Sequence, residues 1–140
     1  NKVIGFDMFP DKVWASENSV ELLSLDEVME KSDIISLHVP PAKDKAPIIG
    51  KSQLSKMKET SLLINAARGG VVDEGVLFEL LSSNKIAGAA IDVFSNEPYD
   101  GPITTLENVV LTPHLGSYAA EGKLQMEIDA VNNLIEVLKK

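Results

Sequence analysis

The 140-residue chain contains no cysteine, which excludes disulfides, cysteine-ligated zinc and a cysteine nucleophile, and fits a reducing, cytoplasmic setting. Basic residues are scarce: 13 Lys and Arg stand against 21 Asp and Glu, a net charge of −8. Without a long Lys/Arg run, such a chain is a poor general binder of nucleic acid or of anionic membranes. No apolar run reaches the roughly 18 residues of a membrane helix. A basic start followed by an apolar core is also missing, so nothing argues for secretion. Only two histidines occur, and no cluster of His and carboxylates has ligand spacing, so no metal is invoked. Internal repeats, low-complexity tracts and flexible linkers are absent too. What remains is ordinary for a globular chain, 44% hydrophobic and 24% charged, with the length of one domain or a piece of one.

Short β-branched or aliphatic runs alternate with helical patterns. Residues 3–6 read as a strand, residues 20–22 as a short one, and residues 34–39 as a third, stopped by Pro40-Pro41. Ser24 caps a helix over residues 26–31, with Glu27 placed to complete a capping box. Residues 42–46 make a polar loop and residues 52–57 a short helix. Residues 62–66 are nearly all apolar, as expected of a strand covered by helices on both faces. Gly69-Gly70 turns the chain, and Asp73 caps a helix running to about Ser83, where Leu77, Leu80 and Leu81 share a face. Residues 87–93 and 109–111 are two further strands. Residues 118–138 form a long final helix whose Leu124, Ile128, Val131, Ile135 and Leu138 make one apolar stripe. Strand–helix alternation with short turns implies parallel strands and right-handed crossovers. The expected fold class is α/β, a doubly wound parallel sheet of the nucleotide-binding, Rossmann-like type.

In such sheets ligands sit at the carboxyl ends of strands. Four of these ends carry polar residues with two readings each. Asp7 can accept hydrogen bonds from a ribose and repel a 2′-phosphate, favouring NAD over NADP, or it can simply cap a turn. Arg68, before two glycines, offers a guanidinium fork for a carboxylate, or a surface ion pair. Asp92 ends one strand and Glu97 follows five residues later. A carboxylate near a His raises its pKa and fixes its tautomer; otherwise Glu97 is a solvated loop acid. His114 stands between Pro113 and Leu115-Gly116, where a ring can be held in one direction or merely face solvent.

Three motifs connect these residues. Asn65-Ala66-Ala67-Arg68-Gly69-Gly70-Val71-Val72-Asp73-Glu74, then Ala90-Ile91-Asp92-Val93-Phe94-Ser95-Asn96-Glu97-Pro98, then Thr112-Pro113-His114-Leu115-Gly116 follow in order. Their order and spacing resemble the D-isomer-specific 2-hydroxyacid dehydrogenases, as do residues 32–40. The likeness covers nearly the whole chain and is strongest to the phosphoglycerate dehydrogenases and their near relatives. It implies an NAD-dependent oxidoreductase acting on a small 2-hydroxy or 2-oxo acid, with 3-phosphoglycerate and serine biosynthesis as one setting. By the same resemblance Arg68 binds the substrate carboxylate, His114 is the acid/base and Glu97 its partner. Asp92 contacts the nicotinamide carboxamide, Asp7 the adenosine ribose, and His38, Val39 and Pro40 line the adenine side. Ala66, Ala67 and Gly116 lie along the cofactor, and a homodimer is the implied assembly.

One departure stands out. The acidic residue of a dinucleotide fingerprint lies about 20 positions after its glycines, so with Asp7 in that role the glycine loop falls before residue 1. The expectation is therefore that residues 1–140 are a partial dinucleotide-binding domain, lacking the first βα unit and the substrate domain, and weak in NAD binding alone. Two other functions fit the same residues: an NAD-sensing corepressor-like protein, and a non-catalytic module using the apolar final helix as a contact face.

Overall fold

Two parallel sheets organise the computed structural model, which describes residues 1–44, 46–117 and 119–139. In the first, β1 (Val3–Gly5) pairs with β2 (Val20–Leu22). The second has four strands in chain order: β3 (Ile34–Leu37), β4 (Leu62–Asn65), β5 (Gly88–Ile91) and β6 (Val109–Leu111). Every strand pairing is parallel, as strand–helix alternation predicts. The crossovers are α1 (Lys12–Glu17), α2 (Leu25–Lys31), α3 (Lys51–Leu54) and α4 (Glu74–Ser82), with a 3₁₀ turn at Pro102–Thr105. A second 3₁₀ turn, Leu115–Ser117, leads to α5 (Ala120–Leu138).

Local chemistry accounts for the helix starts. At α2 the Ser24 hydroxyl accepts from the Glu27 N–H at 3.3 Å, and the Glu27 carboxylate accepts from the Ser24 N–H at 3.0 Å, a complete capping box. Lys31, 2.9 Å away, and then Ser24 hold the Glu27 carboxyl down to about 2. At α4 the Asp73 carboxylate accepts from the Val76 N–H at 3.0 Å. Each such cap contributes about 1 kcal/mol.

The core lies on one face of the four-stranded sheet. Met29 of α2, Leu54 of α3 and Leu77 and Leu81 of α4 bury themselves against Ile35, Leu37, Leu63, Ala89 and Ile91. Burying each such large apolar side chain is worth about 1.5–3 kcal/mol. The opposite face is open among the described residues: Ile34 is 61% exposed and Val110 65%. Helical cover on both faces of β4, expected from its apolar sequence, is thus present on one.

The strands stop earlier than their apolar runs. Phe6, His38, Val39, Ala66, Asp92 and Val93 fall past the strand ends, in the segments where ligands bind. The helix expected over residues 52–57 shortens to α3. Helix α1 has no hydrophobic periodicity, since Ala15 alone is buried, so composition does not announce it. Its one readable signal is Asp11, which accepts from the Trp14 N–H at 2.9 Å. The final helix is present from Ala120; its expected start at Tyr118, and Lys45 of the polar loop, lie outside the described residues. No residue of α5 is buried, and Leu124, Ile128, Val131, Ile135 and Leu138 all face solvent. Between β1 and β3 runs a groove of about 230 Å³.

Candidate active site

Because β3 to β6 run parallel, the segments that follow them leave the sheet on one side. His38 comes after β3, residues 66–68 after β4, Asp92 after β5 and residues 112–114 after β6.

His114 and Glu97 meet. The imidazole Nδ1 lies 3.1 Å from one Glu97 carboxylate oxygen, and the other oxygen accepts the Phe94 N–H at 3.0 Å. With Nδ1 facing the carboxylate, Nε2 is the ring nitrogen free for a substrate proton. The His114 backbone sits at φ +56°, the left-handed region that costs a non-glycine residue energy and persists where neighbours enforce it. Asp92 does the enforcing. Its carboxylate accepts the Thr112 hydroxyl at 2.5 Å, the Leu115 N–H at 2.9 Å and the Gly116 N–H at 3.4 Å, so both arms of the His114 loop are tied to the end of β5. Burial pushes the Asp92 carboxyl up, but the Thr112, Leu115 and Gly116 hydrogen bonds outweigh it and hold the pKa below its ordinary value.

The Phe94 N–H, and then His114, likewise hold the Glu97 carboxyl below the usual glutamate range. A group with a depressed folded-state pKa favours the native pairing at pH values above its unfolded pKa. That advantage is lost as pH falls through the lower, folded value. We therefore expect the ¹³C carboxyl resonance of Glu97 to titrate at lower pH than a model glutamate, and its pairing with His114 to persist until that lower pH is reached; an ordinary midpoint would contradict the geometry.

A cavity of about 520 Å³ opens beside the pair, walled largely by Phe94, Pro98, Tyr99, Leu111 and Thr112. On its aromatic wall, Phe94 and Tyr99 stack with centroids 4.1 Å apart.

The Arg68 turn is built by Asn65, a buried polar residue at the end of β4. Its side chain accepts from the Ala67 N–H at 3.2 Å and donates to the Arg68 carbonyl at 3.3 Å, while its own carbonyl accepts the Asp92 N–H at 2.9 Å. Gly69 then lies so close to the next loop that a Cβ there would stand 1.9 Å from the Phe94 carbonyl oxygen. The Arg68 turn and the Glu97 loop are thus in direct contact. Arg68 itself is exposed and donates to the Ala67 carbonyl at 2.7 Å; among the described residues it makes no bond to Glu97 or His114. Ala66 is exposed and Ala67 half-buried on the same turn.

Asp7, His38 and Val39 share the separate groove between β1 and β3, and Pro40 lies just past its lining. One Asp7 oxygen accepts the Phe9 N–H at 2.7 Å, the turn-capping reading, and the other has no protein partner among the described residues. The His38 Nε2 lies 2.9 Å from the Ser36 hydroxyl. A half-free carboxylate beside an aliphatic groove fits the ribose and adenine of a dinucleotide. For its phosphates the sequence holds no Gly-x-Gly-x-x-Gly. Sequence reasoning missed the supporting roles of Asn65, Glu74, Ser95 and Thr112. The available signal was a polar side chain at or just past the end of an apolar strand, which is clear for Asn65 and Thr112 only.

Comparison with known proteins identifies the family. Residues 1–116 match the family described as D-isomer specific 2-hydroxyacid dehydrogenase, NAD binding domain. A D-3-phosphoglycerate dehydrogenase of Archaeoglobus fulgidus is 38% identical over 139 residues, covering 98% of this chain and 26% of its own. A glyoxylate reductase of Thermofilum pendens is 43% identical, over 99% of this chain and 42% of its own. The chain therefore spans about a quarter to two fifths of the length of these two curated relatives. Among solved structures, the NAD complex of a D-isomer specific 2-hydroxyacid dehydrogenase from Lactobacillus delbrueckii superposes with a TM-score of 0.83 at 30% identity, over 99% of this chain and 46% of that one. An acyclic imino acid reductase in complex with NADPH and D-Arg gives 0.85 at 36% identity, over 99% and 43%. With a match over residues 1–116 and a sheet of the same form, this chain belongs to the NAD-binding domain family of the D-isomer-specific 2-hydroxyacid dehydrogenases.

Proposed function

We propose that the chain supplies the nucleotide side of an NAD-dependent oxidoreductase that interconverts a D-2-hydroxy acid and its 2-oxo acid. The observation that carries this reading is the His114–Glu97 pair, 3.1 Å apart on a loop clamped by Asp92 and open to a cavity. NAD, when bound, supplies the hydride acceptor. The chain's own residues do the rest. His114 takes the hydroxyl proton on Nε2 during oxidation and returns it during reduction, and Glu97 compensates the imidazolium charge that forms. Arg68, exposed and bonded to the Ala67 carbonyl of its own turn, can swing out to grip the substrate carboxylate. Asp7 takes the adenosine ribose, and the groove beside His38 and Val39 takes the adenine. Ala66, Ala67 and Gly116 follow the cofactor between the two ends. Asp92 serves chiefly by fixing the His114 loop, with the nicotinamide carboxamide as a further partner.

Both relatives' names, a phosphoglycerate dehydrogenase and a glyoxylate reductase, describe substrates with a carboxylate beside an oxidisable or reducible carbon. 3-Phosphoglycerate remains one candidate within that class. A cytoplasmic homodimer belongs to the same proposal, as does a further parallel strand with its phosphate-binding turn in the groove between β1 and β3.

The test is oxidation of NADH by a panel of 2-oxo acids with the complete polypeptide. Turnover of none of them would overturn the proposal. Arg68→Ala should raise KM for 2-oxo acids roughly 10- to 100-fold, the loss of a charge-assisted hydrogen bond. An unchanged KM across several acids would remove Arg68 from the site.

A further inference from the structure

Glu74 opens α4, where the helix dipole alone would favour an acid. Its side chain does more than sit there. One carboxylate oxygen accepts both the Ser95 N–H, at 2.7 Å, and the Ser95 hydroxyl, at 2.8 Å, from a loop 21 residues further on. The helix does not need this carboxylate as a cap, because Asp73 already accepts the Val76 N–H. Ser95 begins the turn that returns at Glu97. The residue before it, Phe94, donates its N–H to Glu97, whose other oxygen faces His114. On its carbonyl side Phe94 is pressed against Gly69. The Phe94–Ser95 peptide is thus gripped twice, by the Gly69 turn and by Glu74, and Glu97 is aimed from between the grips.

We propose that Glu74 is a positioning residue for the His114–Glu97 pair, acting through its two hydrogen bonds to Ser95. The proposal rests on the reading of that pair as the acid/base. Glu74 touches neither His114 nor Glu97. What it fixes is the backbone from which the Glu97 side chain projects. Freed of that anchor, residues 94–97 keep their packing on Gly69 but lose the restraint on Ser95, and the Glu97 carboxylate turns away from Nδ1. Proton transfer then suffers, because the imidazole loses both its orientation and the charge that balances it.

Two readouts test this. The first is the ¹³C carboxyl titration of Glu97 in the 140-residue chain, where the Phe94 N–H and then His114 lower its pKa while burial and the Asp92 charge oppose them. Glu74→Ala should move the Glu97 midpoint up toward that of an ordinary glutamate, and Glu74→Gln, which keeps an acceptor oxygen, should restore it. The second is turnover by the complete polypeptide. There Glu74→Ala should lower kcat roughly 10- to 100-fold, the cost of a misplaced catalytic group, with KM for the 2-oxo acid little changed. Glu74→Gln should recover most of that loss. A native Glu97 midpoint in Glu74→Ala, or a native kcat, overturns the proposal. If Glu74→Ala fails to fold, Ser95→Ala removes only the hydroxyl donor and should show both effects in smaller measure; native values there overturn it equally. A native protein that turns over no 2-oxo acid, while Glu97 still responds to Glu74, overturns the functional reading and leaves the link between Glu74 and Glu97 supported.

Discussion

Replacing His114 with alanine is expected to lower the turnover of a 2-hydroxy acid by roughly 10²- to 10⁴-fold, the usual worth of a placed proton acceptor. The expectation follows from the arrangement around the ring. Nδ1 is committed to Glu97, and the loop is tied on both sides to Asp92. No other imidazole can substitute, since His38 lies in the second groove with its Nε2 beside Ser36. NAD affinity should change little, because the groove proposed for ribose and adenine, beside Asp7, is separate from the His114 loop. Initial-rate kinetics with a separate NAD titration will read both. Turnover within a few-fold of native would remove His114 from the acid/base role, and a large loss of NAD affinity would place the ring against the cofactor instead.

Gly69→Ala should be the most damaging single change in stability. A methyl group there would meet the Phe94 carbonyl at 1.9 Å, with the Phe94 carbonyl carbon at 2.2 Å and the Ser95 nitrogen at 2.8 Å. These are backbone atoms, so no side-chain rotation relieves the overlap. One of two loops must move, and each is fastened: the first by Asn65, the second by Glu74 and Glu97. A loss of about 3 kcal/mol or more is expected, at the upper end of overpacking effects. That is a large share of the roughly 5–15 kcal/mol that holds a domain folded. Urea unfolding followed by circular dichroism measures it, and a native midpoint would show that the two loops are not packed together.

Much of the molecule was legible in its residues because local rules point the same way. Strand periodicity, the Ser24 and Asp73 caps and the Gly69-Gly70 turn each name an element that is present. The parallel sheet follows from their alternation. At the site, the spacing of the motifs suggested that Arg68, Glu97 and His114 gather; Glu97 does face His114, while Arg68 bonds to its own turn. The sequence could not reveal how the loops hold one another. Ser95 and Glu74 are polar surface residues by composition, and only the fold brings them together across 21 positions. Asp92 is similar: read alone it is one acid after a strand, while in space it is the tie for the whole His114 loop. Strand ends were overextended for a simple reason. Apolar residues such as Val39 and Ala66 continue past the last ladder bond, so hydrophobicity does not mark where pairing stops. The open sheet face went unforeseen because Ile34, Leu62 and Val110 are apolar whether or not anything covers them.

The β1–β2 ribbon has a consequence for how the protein yields to heat. Among the described residues β1 and β2 pair with each other and not with the larger sheet, and such a ribbon is marginal on its own, whereas β3 to β6 share one cooperative core. In the 140-residue chain, local opening therefore starts at the ribbon, whose amides should exchange with deuterium well before those of β4 and β5. Asp7 lies just past the ribbon that opens first, whereas Asp92, which ties the His114 loop, follows directly on β5 of the larger core.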